Sequence, residues 1–239
     1  MGRMFLIRHA QASFLEGNYD KLSQIGEIQA HRLGEFCASR QVVFDRVYSG
    51  PRVRQLNTAS IVSDAYQEAG LEFPVPLVMN EFDEYEGEVV LRQGLPRLLE
   101  ESSEIRELHQ RFENSNSAGE QQKSFQRLFE AVIGMWVDGA ILVPEVESWA
   151  DFCARVGRGL SQVASSKSRG ERVAVFSSGG PIGVAMQRAL NLSPQDTLRV
   201  AWMSRNCSYS KFLFSGDRFT LSTFNAFPHL DDAALLTYR

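Results

Sequence analysis

Residues 4–9 read Met-Phe-Leu-Ile-Arg-His. Four apolar residues followed at once by a charged pair describe a short buried strand whose C-terminal end opens onto a site. Outward from it, residues 23–39 place Ile25, Ile28, Leu33 and Phe36 near helical spacing, with Ser23 as N-cap. Residues 44–48 alternate like a strand, Pro51 opens a helix to about Gln67, and Val75 to Met79 form a third short strand. Arg172 to Ser177 is the most strand-like run of the chain and leads through Ser178-Gly179-Gly180-Pro181 into a helix ending near Leu190. A hairpin follows, 207–214 against 218–224 around Ser215-Gly216-Asp217. Strands alternating with helices predict an α/β fold: a doubly wound, mostly parallel sheet with helices on both faces.

Residues 81–147 break this rhythm. Two helical patterns, near 90–112 and 124–138, flank a polar loop at 114–122, and Ser148 caps a further helix to 166. The expectation is one domain over 1–239 with an inserted helical cap at about 81–147.

The chain has 239 residues, 44% of them hydrophobic, and a net charge of −4. That suits one large α/β domain and argues against nucleic-acid or membrane-surface binding by the molecule as a whole. The three cysteines, Cys37, Cys153 and Cys207, are far apart and unpaired by motif, which fits core thiols in a reducing compartment. The N-terminal apolar run, Met4 to Ile7, is shorter than a secretory core, and no run reaches membrane-spanning length. The expectation is a soluble, cytoplasmic protein with no membrane partner.

Three polar clusters sit at expected strand ends. Arg8-His9 joins a nucleophilic imidazole to a guanidinium that binds phosphate oxygens in pairs. Arg52 and Arg54 stand at the mouth of a helix, where backbone N–H groups already favour anions. Ser177 to Pro181 is a small-residue turn that lets backbone amides approach an oxyanion. A fourth feature is the acids Glu81, Asp83, Glu84, Glu86 and Glu88, of which one or two are candidates to protonate a leaving oxygen.

Together these segments resemble the histidine phosphatase superfamily, the phosphoglycerate-mutase-like branch. Leu6-Ile7-Arg8-His9-Ala10-Gln11 is similar to its Arg-His signature, which usually continues with Gly. Tyr19-Asp20, Leu22-Ser23, Gly26 and Gln29-Ala30 resemble the family's first helix. Tyr48-Ser49-Gly50-Pro51, with Arg54 and Thr58-Ala59, resembles the second signature. Asn80-Glu81, Glu147-Ser148 with Arg155-Val156, Asn206-Cys207-Ser208, Asn225 and His229-Leu230 continue the match to the end of the chain.

The resemblance implies His9 as the phosphate-accepting nucleophile and Arg8 and Arg54 as phosphate-binding arginines. Arg52 is out of register. It implies Ser178 and Gly179 at the phosphate and Glu81 as proton donor, with Asp83 the alternative. It implies no cofactor and no metal, and a small phosphorylated substrate or a phosphoprotein as partner. Oligomeric state is not indicated. Leu15 stands where cofactor-dependent mutases carry Asn, and Ser178 stands where the family carries its second histidine. His31, His109 and His229 are not in register to replace it. The leading reading is a phosphatase, with a phosphoglycerate mutase or a non-catalytic phospho-ligand-binding protein as alternatives. Arg92, Arg97 and Arg106 either meet an anionic substrate or solvate a helix, and Phe82 and Tyr85 either line a pocket or pack the cap.

Overall fold

The computed structural model describes residues 1–13, 20–165 and 170–238. Leu15 and Tyr19 lie outside them. Six strands, β1 (Gly2–Arg8), β2 (Arg46–Ser49), β3 (Leu77–Val78), β4 (Arg172–Ser177), β5 (Tyr209–Ser215) and β6 (Arg218–Ala226), form one sheet in the order β3-β2-β4-β1-β5-β6. The first four in that order are parallel, and the β5–β6 hairpin closes the far side antiparallel. β4 is buried from Val173 onward on both faces, as a central parallel strand must be when helices cover both sides.

The helices are α1 (Gln24–Ser39), α2 (Val53–Glu68), α3 (Gly87–Glu101), α4 (Ser103–Glu113), α5 (Ala118–Val137), α6 (Trp149–Ala164), α7 (Gly179–Leu190) and α8 (Pro194–Met203). The chain divides into two compact units. One is Met1–Glu84 with Arg155–Arg239; the other is Tyr85–Ala154.

In the first unit the sheet register decides where chemistry can sit. Arg8 pairs with Ser177 and Ser49 with Phe176, so β1, β4 and β2 end along one edge. The ladder then runs one residue further: His9 N–H donates to Ser177 O (2.8 Å) and Gly50 N–H to Phe176 O (2.9 Å). The core on one face joins Ile7, Val47, Ala174 and Phe176 of the strands to Leu33, Ala59, Val62 and Tyr66 of α1 and α2. Each such large side chain contributes about 1.5–3 kcal/mol by leaving water.

Several expectations are corrected. Ser23 does cap α1, its Oγ accepting from Gly26 N–H at 3.0 Å. The buried face, however, is Gly26, Gln29, Ala30, Leu33, Gly34, Cys37 and Ala38, while Ile25 and Ile28 are exposed. Small residues win that face because the helix must come close to its neighbours: a Cβ on Gly34 would stand 2.6 Å from the Ala65 Cβ of α2. α2 begins at Val53 with Arg52 as N-cap, so Pro51 precedes the helix. β3 is only two residues, both exposed, because as an edge strand it pairs with β2 alone. α8 was not anticipated, although Ser193 as N-cap and Pro194 in the first turn announce it.

In the second unit three helices stand where two were expected. Ser102 ends α3 and caps α4, accepting from Ile105 N–H, and residues 118–122 belong to α5. Tyr85 packs in an aromatic cluster with Trp136, Trp149 and Phe152, so it is a core residue of this unit. Arg97 pairs with Glu101 on the surface, and Arg106 donates to the Leu99 and Glu100 carbonyls at the end of α3.

Candidate active site

His9 lies one residue beyond β1 and is buried. Its Nδ1 is 2.8 Å from the Ala10 carbonyl oxygen, and its Nε2 is 3.1 Å from Arg54 Nε. A carbonyl only accepts and a guanidinium only donates, so Nδ1 carries the proton and Nε2 the lone pair. Burial first, then the charges of Arg54 and Arg8 and, more weakly, Arg52, hold the imidazole well below the ordinary histidine pKa. The ring is thus neutral, in the tautomer that leaves Nε2 nucleophilic. The loop around it is pinned: Ala10 N–H donates to Thr58 Oγ1 (3.0 Å), and Cys207 N–H donates to His9 O (3.2 Å).

Arg54 is brought to His9 by the first turn of α2. Asp20 fixes it there, accepting from Arg54 Nη1 at 2.7 Å while also accepting from Val53 N–H at 2.8 Å. One carboxylate therefore satisfies a helix N-terminus and orients the arginine. Arg8, the last residue of β1, donates through Nη1 to the Ser204 carbonyl after α8. Arg52 donates through Nε to Asp83 and through Nη2 to the Glu84 carbonyl (3.3 Å).

Ser178 is the N-cap of α7 and is buried. Its Oγ accepts from Gln55 Nε2 at 2.8 Å, which leaves its own hydroxyl proton to donate. Gln55 also donates to Phe82 O (3.3 Å) and accepts from Arg52 N–H (3.1 Å). Gly50 makes this bridge possible: a Cβ there would stand 2.2 Å from Gln55 Oε1 and 2.6 Å from Phe82 O. Gly179 opens α7, with Gly180 N–H donating to Glu84 Oε2 at 3.0 Å.

The acids do not share one environment. Glu81 sits in a single 3-10 turn, Asn80–Phe82; its Cβ lies against α6 where Gly159 leaves room, and its carbonyl accepts from Arg155 Nη1 (3.2 Å). The geometry thus links His9 directly to Arg54 and ties Ser178 to α2 through Gln55, while the Glu81 Cβ and Cγ lie beside Gly159 of α6. Phe82 is fully buried, its carbonyl taken by Ser177 Oγ (2.8 Å) and Gln55. Gln55, Asp20 and Thr58 were missed as site residues, although Gln55 and Thr58 stand one residue and one helical turn beyond Arg54.

Among the other histidines, His31 pairs with Glu68 on the surface, His109 with Glu113, and His229 packs against Phe36. Cys37 and Cys207 are buried, and burial pushes the Cys37 thiol up to about 11. Among the described residues no group of three or more His, Cys, Asp or Glu side chains is arranged for a metal ion, and no helix is long and apolar enough to cross a membrane.

The sheet is mixed and mostly parallel, with Arg8 and His9 at its carboxyl edge. The family model of the histidine phosphatase superfamily (branch 1) matches residues 4–134 and 91–226, and the chain belongs to that family. It is accordingly a phosphatase by family. No curated protein matches the sequence. Among solved structures, a phosphoserine phosphatase of Entamoeba histolytica in complex with 3-phosphoglyceric acid is similar over 96% of this chain and 100% of its own, with 18% identity and a TM-score of 0.63. A mycobacterial glucosyl-3-phosphoglycerate phosphatase with inorganic phosphate is similar over 95% and 98%, with 21% identity and a TM-score of 0.61. A phosphoglycerate mutase of Bacillus anthracis matches over 95% and 94%, with 15% identity and a TM-score of 0.61. At such identities the likeness is one of fold, and it is shared by phosphatases and a mutase alike.

Proposed function

We propose that the chain hydrolyses a phosphomonoester through a phosphohistidine on His9. The observation that carries this is the placement of the buried His9 ring, with Nδ1 on the Ala10 carbonyl oxygen (2.8 Å) and Nε2 on the Arg54 guanidinium (3.1 Å). Nε2 attacks phosphorus in line. Arg8 and Arg54 hold the equatorial oxygens, over which transition-state charge spreads. Ser178 donates a neutral hydrogen bond where the family has a second histidine, and the Gly179 amide adds another. A carboxyl group of the turn after β3, Glu81 in family register, protonates the leaving oxygen, and water then releases phosphate. The charge is supplied by arginines, so the scheme uses no metal or cofactor. We read Tyr85–Ala154 as the inserted cap within a single domain, and the substrate as a small phosphorylated molecule or a phosphorylated protein side chain.

The test is a single-turnover mix with 4-nitrophenyl phosphate, quenched and assayed for acid-labile phosphate on His9. Phosphohistidine, with steady release abolished in His9→Ala, supports the reading. Phosphate binding with neither phosphohistidine nor release overturns it, and interconversion of phosphoglycerates makes the protein a mutase.

A further inference from the structure

Three acids of the turn after β3, Glu81, Asp83 and Glu84, are given different neighbours. The Cβ and Cγ of Glu81 lie beside Gly159 of α6. Asp83 accepts from Arg52 Nε and from Glu84 N–H through the same Oδ1. Glu84 reaches the other way: its Oε2 accepts from Gly180 N–H at 3.0 Å in the first turn of α7. Gly180 follows Ser178 by two residues, and the carbonyl of Ser177 is bonded to His9 N–H (2.8 Å). The Glu84 backbone is fixed by Arg52 Nη2 on its carbonyl (3.3 Å), and Arg52 is itself N-cap of the helix that carries Arg54 and Gln55. Of the three carboxylates, Glu84 is the one bonded to the small-residue turn beside His9.

We infer that Glu84, rather than Glu81, exchanges the proton with the leaving oxygen. This rests on the phosphohistidine reading above. A phosphate dianion entering beside Glu84 raises the cost of a second negative charge, so the carboxyl takes up a proton. With Oε2 held on the Gly180 amide, that proton sits on Oε1. As His9 Nε2 bonds to phosphorus, the ester P–O bond breaks with its electron pair on the leaving oxygen. That oxygen takes the Oε1 proton, and Glu84 is left as carboxylate. In the second step water forms the new P–O bond and gives one proton to Glu84. The P–N bond breaks, its pair returns to Nε2, and phosphate leaves. As the phosphate leaves, Glu84 gives that proton up to water, and between turnovers the carboxylate rests on the Gly180 amide.

The experiment compares wild type, Glu84→Gln and Glu81→Gln on phenyl phosphate, whose phenolate needs a proton to leave well, and on 2,4-dinitrophenyl phosphate, whose phenolate does not. The readout is the ratio of the two kcat/KM values within each variant, which does not depend on how much of the protein is folded. Glu84→Gln is expected to lower the phenyl-to-dinitrophenyl ratio by about 100-fold or more, the usual worth of a general acid. It also removes the alkaline limb of the phenyl phosphate pH profile. An unchanged ratio in Glu84→Gln overturns the inference, and so does a change of that size in Glu81→Gln instead. Failure of the underlying reading looks different: wild type then gives no acid-labile phosphate on His9 with either ester.

Discussion

Arg54 donates through Nε to Nε2 of His9 at 3.1 Å, so the arginine is bonded to the atom that would take the phosphoryl group. A lysine cannot reproduce both this bond and the one to Asp20 with a planar fork. Arg54→Lys is expected to lower kcat on 4-nitrophenyl phosphate by about 100-fold, in line with loss of one oriented oxyanion donor. A loss under threefold would show that the guanidinium geometry is unimportant.

The same contact predicts a pH effect. After burial, Arg54 is the largest influence keeping the His9 pKa low. Wild-type kcat/KM should hold its value below the ordinary histidine pKa if His9 acts as proposed, because its imidazole stays unprotonated. Arg54→Gln should move the acid limb to higher pH, since it removes a positive charge that opposes protonation. A limb that stays in place or moves down contradicts this.

Ser178 and Gln55 give a third prediction. Ser178→Ala removes a buried hydroxyl that Gln55 holds from 2.8 Å, and should cost about 10- to 100-fold in turnover, the worth of a hydrogen bond to a charged group. Ser178→His introduces a donor that can carry charge and should preserve or raise turnover. A collapse with circular dichroism unchanged would mean that the serine–glutamine pair has a role no histidine can fill.

Gly50→Ala tests packing at the site. Its Cβ would meet Gln55 Oε1 at 2.2 Å and the Phe82 carbonyl at 2.6 Å, and the carbonyl cannot rotate away. About 1–3 kcal/mol of destabilisation is expected in urea unfolding, as for an overpacked interior. A change within 0.5 kcal/mol, roughly the scatter of neutral surface changes, would show that the loop moves freely.

Stability should also fall on acidification. Burial holds His229 down to about 4, while the unfolded chain titrates near 6.5. Between those values the unfolded state binds more protons, so stability present above 6.5 is lost as the pH falls towards 4. The full loss from this one group is up to about 3 kcal/mol, at about 1.4 kcal/mol per pH unit. Urea midpoints at pH 7 and 5 should separate more in wild type than in His229→Phe. Equal separation would remove His229 as the cause.

The strands were legible because their signals are local. Arg172 to Ser177 is read to the residue, and Arg8-His9, Arg54 and Ser178 fall where expected at strand and helix ends. The phase of α1 was not legible. Hydrophobicity favoured Ile25 and Ile28, but close helix packing favoured Gly26, Ala30 and Gly34, and proximity is a property of the partner helix. Gln55 was invisible for a similar reason: its three bonds reach Arg52, Phe82 and Ser178, and only the last two are distant in sequence. The several acids after β3 looked alike in sequence because their distinction lies in which way each side chain turns.

β1 and β2 are consecutive in the chain, yet they are not neighbours in the sheet: β4 lies between them, Met4 pairing with Val173 and Val47 with Ala174. During synthesis the first two strands therefore emerge without the strand that joins them, and their hydrogen-bonding edges wait for the segment near residue 172. Long-range parallel pairing of this kind makes folding slow and leaves unpaired edges open to aggregation meanwhile. A ribosome-bound chain stopped before β4 would be protease-sensitive and unable to bring His9 and Arg54 together, so competence should appear abruptly as the last third of the chain emerges.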